Sequence, residues 1–399
     1  MAQFRKDTHQ YLNDGRTIFE VVMLADQYGN LVGPSNPTGM SVDAFGRART
    51  SQPLTIFDSS HRYADNGLWA TSNTATATYA FDSNEGLVDL VLDTTEDAEI
   101  IRETTKVFGY QPGKSLQILN TFVMEPAKEN LRQRIGYFGE QNGLFLEQDG
   151  TDVYFVKRSY VTGSVVETKV AQANWNVDVM DGTGPSLKTL DLSKAQILFC
   201  DIEWLGVGSV RMGFIIDGQF IHCHSFHHAN EITSTYITTA SLPLRYEIKN
   251  TGATANNSTL KQICSSVISE GGYELRGTQQ AIATPVASPV NLALSGTFYP
   301  IVSLRLKSDR NDAIVIVTAL SMLGVGNNAR FEWRLLSNPT LGGNTTFTSA
   351  GTNSSVEYNQ VANTVTGGRT LASGYLTSTT QASVATDILK DALLKFQLE

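Results

Sequence analysis

The sequence predicts an all-β protein of two or more β-sandwich domains, with an extended N-terminal arm and a short C-terminal helix. Three observations predict it. Short runs rich in Val, Ile, Thr, Tyr and Phe recur between Gly, Asn, Asp and Pro, as strands do between turns: Ile18 to Leu24, Gly86 to Leu92, Ser115 to Phe122, Arg134 to Phe138, Gly143 to Gln148, Asp152 to Arg158, Gln196 to Trp204 and Ser209 to Ile216. Turn signals separate them, including QNG at Gln141 to Gly143, EQDG at Glu147 to Gly150, DGTG at Asp181 to Gly184 and IDG at Ile216 to Gly218. Helical periodicity with a capped start occurs once, where Ser383 to Asp387 leads into Ile388, Leu389, Leu393, Leu394 and Phe396.

The predicted elements fall into four segments. Residues 1–128 read as an N-terminal arm and β region; within it GPSNPTG (Gly33 to Gly39) marks an extended connector, and the nearly chargeless Ala70 to Ala80 a loop or edge strand. Residues 129–255 carry the densest strand pattern and read as a central sandwich. Residues 256–382 read as a second sandwich, with strands over Tyr299 to Lys307, Ala313 to Met322 and Arg330 to Leu336. Its polar tract from Gly342 to Thr380, charged only at Glu357 and Arg369, fits a repeatedly turning meander packed on neighbours rather than a free linker, which draws solubility from charge. Residues 383–399 are the predicted helix, whose Leu389, Leu393 and Phe396 form an apolar face for packing on the chain itself or on a copy of it.

Composition narrows the function. The 399 residues include 17% charged side chains and carry a formal net charge of -9, so the positive field that nonspecific nucleic-acid or anionic-membrane binding requires is missing. No run approaches the roughly 18 apolar residues of a membrane-spanning helix, and Met1 to Gln10 lacks the apolar core of an export signal. Cys200, Cys223 and Cys264 are scattered and odd in number; they read as small buried hydrophobes, not as a disulfide framework or a zinc ribbon.

Candidate sites each have an ordinary structural alternative. In GQFIHCHSFHHAN, from Gly218 to Asn230, an extended strand puts His222 and His224 on one side, where two imidazoles two residues apart can share a metal; packing and hydrogen bonding are the alternative. Asp201 and Glu203 have the same spacing and are the best acid pair for glycoside cleavage, yet Arg211 on the following strand offers Asp201 an ion pair. Trp175, flanked by Asn174 and Asn176, is the candidate for stacking on a sugar ring, against a role in capping a sandwich edge. Trp204 and Trp333 sit in apolar runs and read as core. The glycines of LGVGSVRMG (Leu205 to Gly213) precede a strand, so they form a tight turn and not a phosphate cradle. The sequence carries no GxSxG, Walker, HExxH or strand-to-helix GxGxxG motif.

Several stretches in a shared order resemble a family of structural proteins from tailed bacteriophages. They are DAFGRARTS from Asp43 with Ile56 to Asp58, YQPGKS from Tyr110, RIG from Arg134 with NGLF from Asn142, QANWN from Gln172, DGTGPS from Asp181, EWLGVG from Glu203, FHHAN from Phe226 and LPLRYEI from Leu242. Together they span roughly residues 40–275. The strand, tight glycine turn and strand ending in Asp-Gly from Trp204 to Gly218 also resemble a concanavalin-A-like or laminin-G-like jelly roll. The resemblance implies a non-enzymatic virion component assembled in the host cytoplasm, of the capsid-decoration, head-fibre or tail-fibre and baseplate type. It implies no cofactor, and as partners further copies of the chain in a dimer or trimer and other virion proteins. The alternatives are an adhesin that binds host-surface glycan through Trp175 and its neighbours, or a glycan-cleaving tailspike enzyme using Asp201 and Glu203.

Overall fold

The computed structural model describes residues 51–378 except 275–276, 286, 311 and 326–327, together with the strands at 10–13, 18–21, 385–387 and 397–398. The chain divides into two units, Met1–Pro53 and Leu54–Glu399. In the first, β1 (Gln10–Asn13) and β2 (Ile18–Val21) pair as an antiparallel hairpin. The arm predicted at Gly33 to Gly39 lies outside the described residues.

The second unit begins with strands β3 (Pro53–Ser60), β4 (Trp69–Asn73), β5 (Thr78–Asp82), β6 (Leu87–Leu92), β7 (Glu99–Thr104), β8 (Phe108–Gly109) and β9 (Ser115–Val123). It continues with β10 (Leu131–Phe138), β11 (Gly143–Asp149), β12 (Asp152–Ser159), β13 (Val166–Ala171), β14 (Gln196–Ile202), β15 (Val210–Ile216), β16 (Gln219–Phe226), β17 (Ser241–Leu242), β18 (Leu244–Asn250) and β19 (Ser258–Glu270). One sheet runs β13-β12-β11-β10-β18-β7-β4, and the other β16-β15-β14-β9-β19-β6-β5 with β3 also on β19. Their inward residues alternate as period-2 patterning requires: Leu116, Ile118 and Phe122 of β9 and Leu131, Ile135 and Tyr137 of β10 belong to one buried core.

This sandwich redraws the predicted boundaries. The break at 128/129 falls between β9 and β10, which lie in different sheets of one sandwich, and the break at 255/256 precedes β19, which pairs with β9 in mid-sheet. Pairings this remote in sequence leave no local mark. The predicted edge character of Ala70 to Ala80 agrees with the structure: β4 and β5 end their respective sheets.

The first sheet is also closed on its outward face. The Phe138 and Phe145 rings pack against each other, tilted by 34°, with centroids 4.4 Å apart and the guanidinium groups of Arg134, Arg158 and Arg245 over the pair. Around them Arg134 bonds Glu147 and reaches Glu247 at 3.2 Å, Arg158 holds Glu167 at 2.7 Å, Lys169 bonds Glu147, and Arg245 holds Glu103 at 2.8 Å. Burial disfavours the charge on Glu167, but the hydrogen bond from Arg158 and the charge of Arg134 prevail and hold the carboxyl below its usual range.

Beyond β19 the chain changes character. It forms β20 (Ser303–Leu306), β21 (Val315–Ile316), β22 (Ser321–Leu323), β23 (Ala329–Ser337), β24 (Thr340–Gly343), β25 (Thr348–Ser349), β26 (Val356–Asn359), β27 (Ala362–Thr366), β28 (Arg369–Ser378), β29 (Ala385–Asp387) and β30 (Gln397–Leu398). Apart from the three-stranded β20-β26-β25, these pair only two by two: β21 with β30, β22 with β29, β23 with β28 and β24 with β27. Among the described residues, Ala362 is the one buried apolar side chain beyond Val267. The meander predicted from Gly342 to Thr380 is present, but the second sandwich takes the form of a ribbon.

The predicted C-terminal helix is corrected where its residues are described, since Ala385–Asp387 and Gln397–Leu398 are strands paired with β22 and β21. Leu389, Leu393 and Phe396 lie outside the described residues. A local apolar spacing was outweighed there by cross-strand partners some sixty to eighty positions away, a distance that pattern reading does not span.

Gly136 tests the β10–β11 packing. A Cβ there would meet Phe145 Cα at 2.7 Å and Cβ at 2.8 Å, whereas one at Gly139 meets nothing nearer than 3.9 Å. Gly136→Ala is expected to lower unfolding free energy by about 3 kcal/mol and Gly139→Ala to leave it nearly unchanged, as read by urea denaturation.

Candidate functional site

The predicted site residues gather on and around the β14–β15–β16 edge of the second sheet. Adjacent strands place Asp201 beside Arg211 and Arg211 beside Ser225; the next row is Phe199, Gly213 and His222. Gly213 is required here because a Cβ would meet the Phe199 ring at 2.9 Å and the backbone nitrogen of Cys223 at 3.0 Å. The Phe199 ring thereby lies directly over the buried Gly213 backbone. That ring meets Phe220 edge-on at 5.2 Å, and Phe220 is 52% exposed.

Asp201 and Glu203 end in different settings. Asp201 is buried on β14 and ion-paired with Arg211, as the sequence suggested. Burial raises its carboxyl above the usual range, and the Arg211 charge opposes that rise. Glu203 lies past the end of β14, in a turn where its backbone N–H donates to Ser209 O at 3.0 Å and its carboxylate accepts from the Ser209 N–H at 3.4 Å. This is the tight turn expected of LGVGSVRMG, with Leu205 and Gly206 both at positive φ.

Trp175 departs from the sugar-stacking expectation. It is 4% exposed, stacked on Phe155 at 4.2 Å, and its indole N–H donates to Val170 O at 3.2 Å. The segment around it seals the open edge of β16. Val177 and Asp178 donate to Cys223 O, while the Asn176 side chain both accepts from and donates to the Ser225 backbone, at 2.8 and 2.9 Å. Asn176 thus completes the sheet edge as another strand would, and Asn174 remains exposed in a single 3-10 turn, Gln172–Asn174. Polar neighbours signalled an edge cap, and period-2 logic cannot see a tryptophan that turns inward from a loop.

The histidines are engaged with protein groups. His224 Nδ1 accepts the Asn176 N–H at 3.3 Å, which requires that nitrogen to be unprotonated. His222 Nε2 lies 2.9 Å from Ser225 Oγ and 3.2 Å from His224 O. His228, buried and stacked on Tyr236 at 4.1 Å, has Nδ1 2.6 Å from Gly208 O and Nε2 3.0 Å from Lys157 Nζ, so Nδ1 carries the proton and Nε2 accepts. Among the described residues no three His, Cys, Asp or Glu side chains converge to hold a metal, and His222 and His224 do not form one half of such a set.

Two residues that the sequence reading passed over join the sheets. Arg102, 1% exposed, donates to Gln262 Oε1, to Thr71 Oγ1 at 2.7 Å and to Asp65 Oδ1 at 2.7 Å, beside Trp69 and Tyr79. Tyr246, on the first sheet, reaches across to Ser265 Oγ of the second at 2.9 Å. An arginine amid alternating strand residues reads as solvent-facing, so nothing local marked Arg102 as internal. Trp204 packs against the core as expected, whereas Trp333 is only half-buried and stands on the ribbon. Cys200 and Cys223 are buried and Cys264 half-buried, all unpaired.

No family model matches the chain. No curated protein matches it either. Among solved structures it is similar to a protein of unknown function from Shewanella oneidensis MR-1, at 13% identity and a TM-score of 0.38, over 58% of this chain and 91% of that one. The Emp47p carbohydrate recognition domain gives 11% identity and a TM-score of 0.36 over 58% and 100%. Arcelin-5, a lectin-like defense protein from Phaseolus vulgaris, gives 9% and 0.34 over 56% and 100%.

Burial, the largest cause in each case, lowers the pKa of His222, His228 and His224, the last to about 4. In the unfolded chain these groups titrate near 6.5. Below that value the unfolded state therefore binds more protons, and the stability that the neutral imidazoles confer is lost as pH falls from about 6.5 towards 4. The urea midpoint is expected to drop across this window, and His224→Asn to flatten the drop. Chelator treatment is expected to leave the midpoint unchanged.

Proposed function

We propose that this chain is a non-enzymatic structural protein of a tailed-phage virion, an exposed component of the capsid-decoration, head-fibre or tail-fibre and baseplate type. One observation carries the structural part of this reading: beyond Val267 the described strands have almost no interior of their own, Ala362 excepted. A segment of this length ordered without a core gains stability from neighbours, the economy of a building block. The ordered series of motifs between residues 40 and 275 supplies the phage context. The engagement of Asp201 by Arg211 and of Glu203 by its own turn supports a role without glycan cleavage.

A second reading, attachment to a host-surface glycan, is favoured by Phe220, whose half-exposed ring meets the Phe199 ring edge-on, in the strand rows that carry His222 and the Asp201–Arg211 pair. An exposed aromatic edge beside polar groups suits the apolar face and hydroxyls of a sugar.

Gradient-purified particles are expected to contain the chain on an antibody-accessible surface; particles lacking it refute the virion assignment. Should a glycan array detect binding, Phe220→Ala is expected to abolish it and Asn174→Ala to leave it intact. Release of reducing sugar by the wild type that disappears in Asp201→Ala would establish the enzyme instead.

A further inference from the structure

We propose that the mouth of the sandwich between the β11–β12 turn and the segment leading into β14 binds the acetamido group of an N-acetylated amino sugar, with the Gln148 side-chain amide as donor. The site shares no residue with the Phe220 edge and holds wherever the chain resides.

Strand register puts Gln133, Gln148 and Val153 in one row across β10, β11 and β12. Tyr154 pairs with Ala171 at the end of β13, so Gln172 follows as the next position beside Val153. Side chains in such a row share a face, and Val153 packs against the core, so the row belongs to the inner face of the first sheet. The cleft over this row is also lined by Pro126 and Ala127, where the chain leaves β9, and by Leu190 to Ser193, where it approaches β14. The Met124 N–H donates to Leu192 O at 3.0 Å and ties those two segments together. The cleft measures about 310 Å³, at the lower end of the ~300–1,000 Å³ of small-molecule sites and enough for one sugar residue.

The Gln148 amide is held in one orientation. Gln133 is fully buried; its Oε1 accepts the Glu125 N–H at 2.9 Å and its Nε2 donates to Glu125 O at 3.0 Å, so the second Nε2 hydrogen goes to Gln148 Oε1 at 2.8 Å. Exchanging oxygen and nitrogen at Gln148 would set two donors against each other. Gln148 is 6% exposed, and its Nε2 has no protein partner among the described residues yet is not sealed from solvent. An unspent donor on a buried side chain is costly, and a ligand's acceptor relieves that cost. On the other side of Val153, Gln172 Nε2 donates to Val179 O and Met180 O at 2.8 and 3.2 Å, which leaves its Oε1 as a free acceptor.

A donor and an acceptor with an apolar side chain between them are complementary to a secondary amide that carries a small alkyl group. Its C=O accepts from Gln148, its N–H donates to Gln172, and its methyl lies against Val153 and Leu192. Strands ~4.8 Å apart set the row positions of Gln148 and Gln172 ~10 Å apart, which leaves room between the side-chain ends for one amide and its two hydrogen bonds. The rest of the rim selects a sugar as the carrier. Asp191 Oδ1 accepts from the Ser193 hydroxyl and N–H, at 2.6 and 3.0 Å, and these bonds hold the carboxyl below its usual range. Its Oδ2 and the exposed Thr151 hydroxyl are left for sugar hydroxyls, where a peptide would bring further amides. No lysine, arginine or histidine is among the described residues lining the cleft, so an acidic sugar meets only the like charge of Asp191.

Saturation-transfer NMR of the full-length chain with free N-acetylglucosamine is expected to show the strongest transfer to the acetyl methyl. The dissociation constant should be of the order of a millimolar, the strength usual for a ligand of this size. Glucose, with a hydroxyl in place of the acetamido group, and N-acetylneuraminic acid, with an added carboxylate, are expected to bind about tenfold more weakly or worse. Gln148→Glu keeps the acceptor for Gln133 and removes the donor, and should weaken N-acetylglucosamine about tenfold. Ala127→Arg, at an exposed position on the rim, should block the cleft and tests the site even where Gln148→Glu lowers the urea midpoint. Absent transfer at tens of millimolar sugar, glucose bound as well as N-acetylglucosamine, tighter binding of N-acetylalanine methylamide, or wild-type binding by Ala127→Arg would overturn the proposal. Phe220→Ala is expected to leave this titration unchanged, and a loss there would move the sugar to that edge instead. Array detection needs far tighter binding and reports on the Phe220 edge, so the two sites fail separately.

Discussion

The interior shared by the two sheets is the constraint on which the rest of the molecule depends, and it is closed by pairings between distant parts of the chain. β9 is held between β14 and β19, and β10 between β11 and β18, so the first sheet is incomplete until β18 ends at Asn250 and the second until β19 ends at Glu270. Such non-local pairing carries a loop-closure cost that only burial of a large apolar surface offsets. The fully buried Val88, Leu90, Ile118, Phe122, Ile135, Phe214 and Ile248 supply that surface. Arg102 belongs to the same logic. Its bonds to Gln262, Thr71 and Asp65 satisfy a guanidinium that would otherwise be costly to bury, and they tie the two sheets at their β4 and β5 edges.

Strand placement was legible because alternation and turn chemistry are local. Gly143 to Gln148 and Asp152 to Arg158, read from the sequence, match β11 and β12 to within a residue, and the Glu147 to Gly150 turn joins them. Partnership was not legible, because a strand carries no local record of which distant segment it will meet. That is why the sequence divides at 128 and 255 where the structure forms one sandwich, and why the apolar spacing after Ser383 reads as a helix while Ala385–Asp387 pairs with Ser321–Leu323.

The candidate site follows the same division. The Asp201–Arg211 pair was readable because a short turn places the two on neighbouring strands. Trp175 was not, because its environment is set by Phe155 from β12 and Phe214 from β15, both remote in sequence, and its polar flanks are used to seal β16. An exposed aromatic does exist nearby, at Phe220, and its signal was present in the alternation Phe220, His222 on the outward face of β16.

The outer closure of the first sheet and the openness of the ribbon express opposite solutions to one problem, how a sheet face is kept from water. Phe138, Phe145 and Val156 are fully buried on a face that no second sheet of the described residues is recorded to cover; three arginines lie over the two phenylalanine rings and are held by glutamates. That solution needs long side chains of both signs at consecutive outward positions, and β10, β11, β12, β13 and β18 supply them. On the ribbon the corresponding charges, Arg330, Glu332 and Arg334, stand on the face opposite the aromatic residues and cannot cover them. Phe331 and Trp333 therefore stand half-buried on the ribbon without the arginine roof that covers Phe138 and Phe145.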